Sequence, residues 1–251
     1  MLVLLPPSET KREGGDGAPL RMGALSFASL GPIRERVVDE LVALATDTDA
    51  TLRALKLGPR QSGEVERDRK LRSSPTMPAI DRYTGVLYDA LDAATLDSSA
   101  RAYARDHVAI HSALFGLVGA LDPVPAYRLS HDSRIPGLRL KAVWREAIAR
   151  AIEARPGLIV DLRSEGYAEV GPLPDRGDAV YVRVVSVDEG GRRRALNHFN
   201  KRAKGLFVHE LLIGAPEGLA TPRDLIEWAA SRGFELGAAT GERSGELELV
   251  A

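Results

Sequence analysis

Between Arg192 and Lys204 the chain places six cationic residues, Arg192, Arg193, Arg194, Lys201, Arg202 and Lys204, and no acid. Asp188, Glu189 and Glu210 fence the stretch, and the 251-residue chain as a whole has a formal net charge of only -1, so the clustering is local. Guanidinium forks and ammonium groups hold phosphate and carboxylate oxygens. The chemistry on offer is therefore anion binding. Arg192 to Arg194 also suit a hairpin tip in solvent. Lys201, Arg202 and Lys204 differ: with Asn197, His198, Phe199 and Asn200 they lead into a helix N-terminus, whose free N–H groups already favour anions. Cations there oppose the helix dipole, and a bound anion would offset that repulsion.

Other chemistry is narrowed by what the sequence lacks. It has no Walker loop, HExxH, GxSxG or GxGxxG pattern, and no catalytic residue is assigned. Zero cysteines exclude disulfides, thiolate metal sites and cysteine nucleophiles. His107 and His111 share one face of a strand, but roughly 13 Å apart, too far to share a metal without bending. No metal site and no cofactor are expected. Tyr127 and Arg128, after "DPVPA", leave two readings open. Arg128 either pairs with a loop carboxylate or grips an anion bidentately. The C-terminal "TGERSGELELV" reads as a solvated edge strand.

These groups need a framework. A chain with 44% hydrophobic and 27% charged residues is ordinary globular material, of a size compatible with one domain spanning residues 1–251. "MLVLL" predicts a short buried strand running into the polar loop "PPSETKREGGDG". Helical spacing marks 32–45, 95–106, 140–155 and 200–213, and "TPRDLIEWAASRG" has Thr221 as N-cap, Pro222 at the first turn and Gly233 as a stop. "GLIVDL", "AVYVRVVSV", "RRRALNHF", "FELG" and "GELELV" predict strands, with "DEGG" the turn of a hairpin, and "VAIHSALFG" reads as a strand ending in a glycine turn, with a helix as the alternative its Ala, Leu and Phe allow. Residues 59–81 are polar and Pro-punctuated, and are expected to be a short helix between loops or a mobile excursion, the most weakly ordered segment of the chain. Strands and helices mix without a regular βαβ rhythm, which predicts an α+β (mixed α/β) single domain. The opening apolar run is too short for a signal peptide, and no window approaches 18 apolar residues. A cytoplasmic location and no membrane partner are expected.

Taken in order, "PPSETK", "DRYTGVLYDAL", "HSALFGLVGALDPVPAYRL", "LIVDLRSEGYAEV", "HFNKRAKGLF" and "SGELELV" resemble segments of the YaaA family of bacterial peroxide-stress proteins across essentially the whole chain. Ser8, Thr10 and Lys11 fall in the family's opening loop, Tyr83 and Gly85 in its tyrosine-glycine segment, and Ser112, Gly116, Tyr127 and Arg128 in its hairpin segment. Ser164 and Tyr167 match the serine-tyrosine segment, and Lys201, Ala203, Lys204 and Gly205 the basic one. Ala113 and Phe115 replace the usual Gly and Tyr, and Lys204 stands where arginine is commoner. The resemblance implies a single mixed domain with a central sheet, surrounding helices and a positively charged cleft. It also implies a helix-hairpin-helix-like element at "LFGLVGAL", DNA binding, and a role in limiting free iron during oxidative stress.

On this reading the cleft or anion-binding set is Ser8, Thr10, Lys11, Tyr83, Arg128, Ser164, Tyr167, Lys201, Arg202 and Lys204. Ser112, Gly116 and Gly119 would approach a DNA backbone. The first functional expectation is sequence-tolerant binding of duplex or distorted DNA. The alternative is an enzyme for a small anionic, phosphorylated or nucleoside-like substrate in the same cleft. A third reading has the cations pairing structurally with the chain's own acids, such as Asp161 or Glu165.

Overall fold

The computed structural model describes the chain except residues 188–192, 196–198, 240–242 and 244. Its strands are β1 (Leu2–Leu5), β2 (Met77–Pro78), β3 (Val108–Ser112), β4 (Gly116–Gly119), β5 (Pro123–Val124), β6 (Ile159–Asp161), β7 (Ala179–Val187), β8 (Arg193–Ala195), β9 (Leu236–Ala238) and β10 (Leu247–Val250). Its helices are α1 (Gly31–Leu44), α2 (Thr48–Leu55), α3 (Ser62–Arg69), α4 (Ala79–Arg82), α5 (Val86–Leu91), α6 (Ser98–His107), α7 (Leu140–Glu153), α8 (Glu165–Val170), α9 (Phe199–Gly214) and α10 (Pro222–Ser231). The class is mixed α/β, as the sequence predicts.

The main sheet runs β4-β3-β1-β6-β7-β10-β9, with β8 pairing the far end of β7. β3, β1, β6, β7 and β10 are mutually parallel, while β4 and β9 close the two ends antiparallel. Every residue of β1, β3 and β6 is buried, which is why they read as continuous apolar runs rather than alternating ones. β1 lies between β3 and β6, so the chain leaves it towards one side first and reaches the other side later. In open α/β sheets that switch of direction opens a crevice beyond the carboxyl ends of the strands.

Local signals explain the element ends. Thr221 accepts from the Asp224 amide and Asp224 reaches back to the Thr221 amide, a reciprocal cap that starts α10. α6 begins at Ser98, later than Thr95, because the Asp97 carboxylate takes the Ala100 amide at 2.8 Å. Two expectations are corrected. Residues 59–81 are packed, not weakly ordered: the short helix expected there is α3, β2 follows it, and Asp68, Leu71 and Thr76 are buried. The polar composition misled because Val65, Leu71, Ala79 and Ile80 all turn inward. The C-terminal strand is not an edge: β10 sits between β7 and β9, with Leu247, Glu248 and Leu249 buried. The "DEGG" turn lies outside the described residues, although β7 and β8 pair antiparallel as a hairpin would.

Buried arginines hold the irregular connections. Arg82 is fully buried and donates to the carbonyls of Val124, Arg12, Gly14 and Pro75 at 2.5–3.1 Å. It gathers the opening loop, the β2 approach and β5 into one layer. Burial lowers it to about 10, so it remains charged near neutral pH. Arg34, also fully buried, donates to the carbonyls of Phe115, Leu117 and Ser26, tying α1 to the β3–β4 hairpin. Replacing Arg82 with Met leaves several carbonyls without partners and is expected to cost about 3 kcal/mol. A lowered urea midpoint checks this; an unchanged midpoint shows that water takes over those carbonyls.

α9 packs closely along α5, and Gly205 is the contact point: a Cβ there would stand 2.2 Å from the Leu87 carbonyl oxygen and 2.8 Å from the Ala90 Cβ. Ala at 205 gains helix propensity of about 1 kcal/mol, but a clash with backbone forces the helix away. The Gly205→Ala variant is expected to lose about 2 kcal/mol net, read as a lower denaturation midpoint.

Candidate functional site

A cleft of about 660 Å³ opens beyond the carboxyl ends of β1 and β6. Its floor is the loop Pro6 to Thr10 after β1 and the segment around Ser164 and Glu165 after β6. Thr84, Gly85 and Tyr88 enter from the start of α5, Ser130 and His131 from the segment before α7, Tyr181 and Arg183 from β7, and Lys201 and Lys204 from α9. Loops distant in sequence thus meet where the sheet topology predicts.

Of the anticipated cleft residues, Ser8, Thr10, Ser164, Tyr167, Lys201 and Lys204 line this space. Lys11, Tyr83 and Arg128 form the layer behind it, and Arg202 is exposed on the first turn of α9 away from the lining. Leu196, Asn197, His198 and Arg192 lie outside the described residues.

Lys204 is 4% exposed. Its Nζ donates to the carbonyls of Leu162 at 2.9 Å and Arg163 at 3.3 Å, just past β6, and lies 5.7 Å from the Tyr181 ring centre. Burial lowers its pKa to about 8, with the nearby Asp161 charge opposing the shift and Arg183 adding to it. Beneath it the Asp161 carboxylate grips the fully buried Arg163 through both oxygens, at 2.8 and 2.6 Å. Arg163 donates in turn to His111 Nδ1 at 3.0 Å. Burial, then the Arg163 charge, hold His111 well below its ordinary pKa, so it sits neutral under Tyr167. The Asp161–Arg163–His111 chain is a structural footing, not a metal site. Among the described residues no group of three or more His, Cys, Asp or Glu is placed to hold a metal ion.

Lys11 lies behind the loop, donating to the carbonyls of Ser8 at 3.0 Å and Glu9 at 3.3 Å, with its Nζ 4.1 Å from the Tyr127 ring centre. Burial and then Arg128 lower it to about 7. Asp68 is buried nearby, and burial raises it to about 8 although its Oδ1 accepts the Arg128 amide at 2.7 Å. Tyr83, Tyr127 and Ser112 form a hydroxyl chain with links of 2.8 and 2.6 Å. Ser112 Oγ accepts the Leu114 and Phe115 amides, so its own proton points to Tyr127.

That last contact locates the anticipated DNA-facing hairpin. The segment from Ser112 to Gly119 is the β3–β4 hairpin, every residue of which is buried. Two of its turn amides are spent on Ser112. Gly116, at φ 66, packs so tightly on Trp144 that a Cβ would stand 2.8 Å from the indole, and Trp144 Nε1 donates to the Ala113 carbonyl.

The charge of the cleft is mixed. Arg128 Nη2 pairs with Glu9 at 2.6 Å, and Arg183 pairs with Glu165 at 2.5 Å and Glu246 at 3.0 Å. The Arg128 pairing with Glu9 is the loop-carboxylate contact that the sequence left open as one of two readings. Glu9, Thr84, Tyr88, His131, Glu165, Tyr181 and Arg183 were not in the anticipated set. For Tyr181 and Arg183 a signal existed: in "AVYVRVVSV" they are the polar-tipped residues two apart, which share one face of a strand.

Residues 1–239 match the family described as "Peroxide stress protein YaaA". A UPF0246 protein of Corynebacterium glutamicum (strain R) is 43% identical over 239 residues, covering 93% of this chain and 94% of that protein. A UPF0246 protein of Streptomyces coelicolor is 41% identical over 259 residues, covering 100% and 98%. With the family's segments met in order along the chain and its loops converging on one cleft, this protein belongs to the YaaA peroxide stress protein family.

Proposed function

We infer that the cleft binds a nucleotide-sized anionic ligand, and that this is how the protein serves the peroxide-stress role its family is named for. One observation carries the reading: Tyr88, Tyr167 and Tyr181 share a space of about 660 Å³ with two lysines of α9, while the arginines beside them are already matched by Glu9, Glu165 and Glu246. Aromatic walls suit a planar base, and a cation at one end suits a phosphate. A cleft with its arginines neutralised attracts a long polyanion weakly and favours a small ligand that reaches the lysines. Lys201 supplies an exposed ammonium, and Lys204 a buried one whose third N–H is free of the two carbonyls it meets.

A second reading, sequence-tolerant binding of duplex or distorted DNA, is favoured by Lys201 and Arg202, both exposed on the first turn of α9. There the phosphate belongs to a strand, with the backbone rather than base edges contacted.

Thermal melting with adenosine monophosphate, inorganic phosphate and a short duplex separates the two. Stabilisation by the mononucleotide of about 2.7 kcal/mol at a hundredfold excess over Kd is expected, and its loss in Lys201→Gln and Lys204→Gln variants. A shift with duplex alone, weakening with salt at a log-log slope of about -0.9 per phosphate neutralised, favours the second reading. No shift with either sinks both.

Protonation adds a second check. Mononucleotide affinity is expected to fall as pH rises through about 8, where Lys204 loses its charge. The unliganded protein behaves oppositely. Between about 8 and the ordinary lysine value of about 10.4 the unfolded chain holds the proton that folded Lys204 has lost, so this residue's contribution to stability rises with pH. Affinity that is flat from pH 7 to 9.5 removes Lys204 from the anion contact.

A further inference from the structure

We propose that Arg128 is a second oxyanion-binding position of the cleft, masked in the unliganded protein by the Glu9 carboxylate, and that the ligand carries a second anionic group, phosphate or carboxylate, to displace it. This deepens the ligand assignment above and rests on it for the first anionic group, the one at the α9 lysines. The starting point is a mismatch inside one ion pair. The Arg128 side chain is 13% exposed, whereas that of Glu9 is 63% exposed. A guanidinium so far out of water needs a partner, while the carboxylate keeps most of its hydration. Glu9 is therefore the replaceable member. It turns into water at little cost once another anion takes its place on Arg128.

Only a side chain has to move. The Glu9 backbone is fixed, because its carbonyl and that of Ser8 hold Lys11 Nζ at 3.3 and 3.0 Å. Beyond it the Thr84 amide donates to the Thr10 carbonyl at 3.2 Å, and the Arg12 amide to the Arg82 carbonyl at 2.8 Å. The Glu9 carboxylate meets Arg128 through one oxygen: Nη2 donates to Oε2 at 2.6 Å, while Nη1 turns to the Glu9 carbonyl at 3.4 Å. The two-pronged grip that a guanidinium offers an oxyanion is thus unused. Glu9, Leu129 and Ser130 line the cleft and Arg128 lies behind them, so removing the carboxylate opens the guanidinium to the cleft.

Arg183 supplies the contrast. It too is largely buried and paired with an exposed acid, Glu165, but Glu246 holds it as well, at 3.0 Å. Release of Glu165 leaves a matched pair behind. Release of Glu9 leaves a cation, since the buried Asp68 carboxylate accepts from the Arg128 backbone amide rather than from its guanidinium. Lys11, close enough to repel Arg128, adds to the local positive charge. The cleft then has two cationic positions on different elements, Arg128 on the segment before α7 and the lysines of α9, with Tyr88, Tyr167 and Tyr181 lining the same space. A planar ring bearing two anionic groups uses both positions, whereas a ligand with one phosphate uses one.

The test is thermal melting of the full chain with inorganic phosphate as probe, at fixed ionic strength, in wild type, Glu9→Gln and Glu165→Gln. Both substitutions remove one negative charge from the cleft lining, so a general field effect moves them equally. Phosphate is expected to bind about fivefold tighter in Glu9→Gln, the scale on which a partly exposed ion pair competes, and less than about twofold tighter in Glu165→Gln. Equal gains in the two variants overturn the proposal. A Glu9→Gln gain that survives in the Glu9→Gln, Arg128→Gln double variant does the same. In wild type, adenosine 3′,5′-bisphosphate tighter than adenosine monophosphate assigns the second group as phosphate, and adenylosuccinate tighter assigns it as carboxylate; parity of all three overturns the two-anion ligand. Adenosine monophosphate also keeps the two readings apart. A shift with it, but no selective phosphate gain in Glu9→Gln, sinks the second position and leaves the ligand assignment. A selective gain that needs Arg128, with no nucleotide shift, sinks the ligand assignment and retains the oxyanion position.

Discussion

Arg82 is the constraint on which the cleft depends. The loop after β1 has no strand or helix of its own to fix it, and its carbonyls need partners if they are to be buried. One guanidinium meets those of Arg12 and Gly14 and at the same time those of Pro75 and Val124. Its desolvation is offset by carbonyl dipoles together with the nearby Glu13 charge. Around that pin the backbone pairing of Lys11 with Tyr83 and of Gly17 with Thr76 fixes where Ser8, Glu9 and Thr10 stand. Arg34 does the same for the hairpin, and Arg163, paired with Asp161, for the chain after β6. Each immobilises a connection that polypeptide propensity alone would leave loose.

Much of the framework was legible in the sequence because it follows from period and punctuation. The buried strands are continuous apolar runs, α1 and α7 are spaced at helical intervals, and Thr221 with Asp224 spells out a cap. What escaped was burial decided by partners far along the chain. Asp68 lies in a segment as polar as any in the protein, yet it is fully buried because the Arg128 amide sixty residues later needs an acceptor. The C-terminal strand reads as an edge from its acids, but which strands flank it is a matter of topology that local composition does not encode.

The site was legible to a similar depth and for a related reason. Resemblance to a family picked out Ser8, Ser164, Tyr167, Lys201 and Lys204, which do share the cleft. Counting cations, however, gave no hint that Arg128 and Arg183 are spoken for by Glu9, Glu165 and Glu246, since ion pairing across 119 or 63 residues has no sequence signature. Nor could it tell that Lys204 turns inward while Lys201, three residues earlier, faces solvent. That difference comes from Gly205, whose missing side chain lets α9 settle against the Leu87 backbone and carries Lys204 down to the end of β6.

The position of β1 in the sheet also bears on how the molecule is made. β1 is synthesised before β3 and β6, the strands that flank it in the finished sheet, whose partner residues begin at Val108 and Ile159. At ordinary bacterial elongation rates β1 waits on the order of ten seconds before both neighbours exist. Its backbone groups and four apolar side chains are meanwhile without their final partners. Parallel pairing across so many residues also makes closure of the sheet entropically slow. Nascent chains of this architecture therefore pass through a long interval in which a strand wholly buried in the native protein is exposed to trapping by chaperones or by other chains.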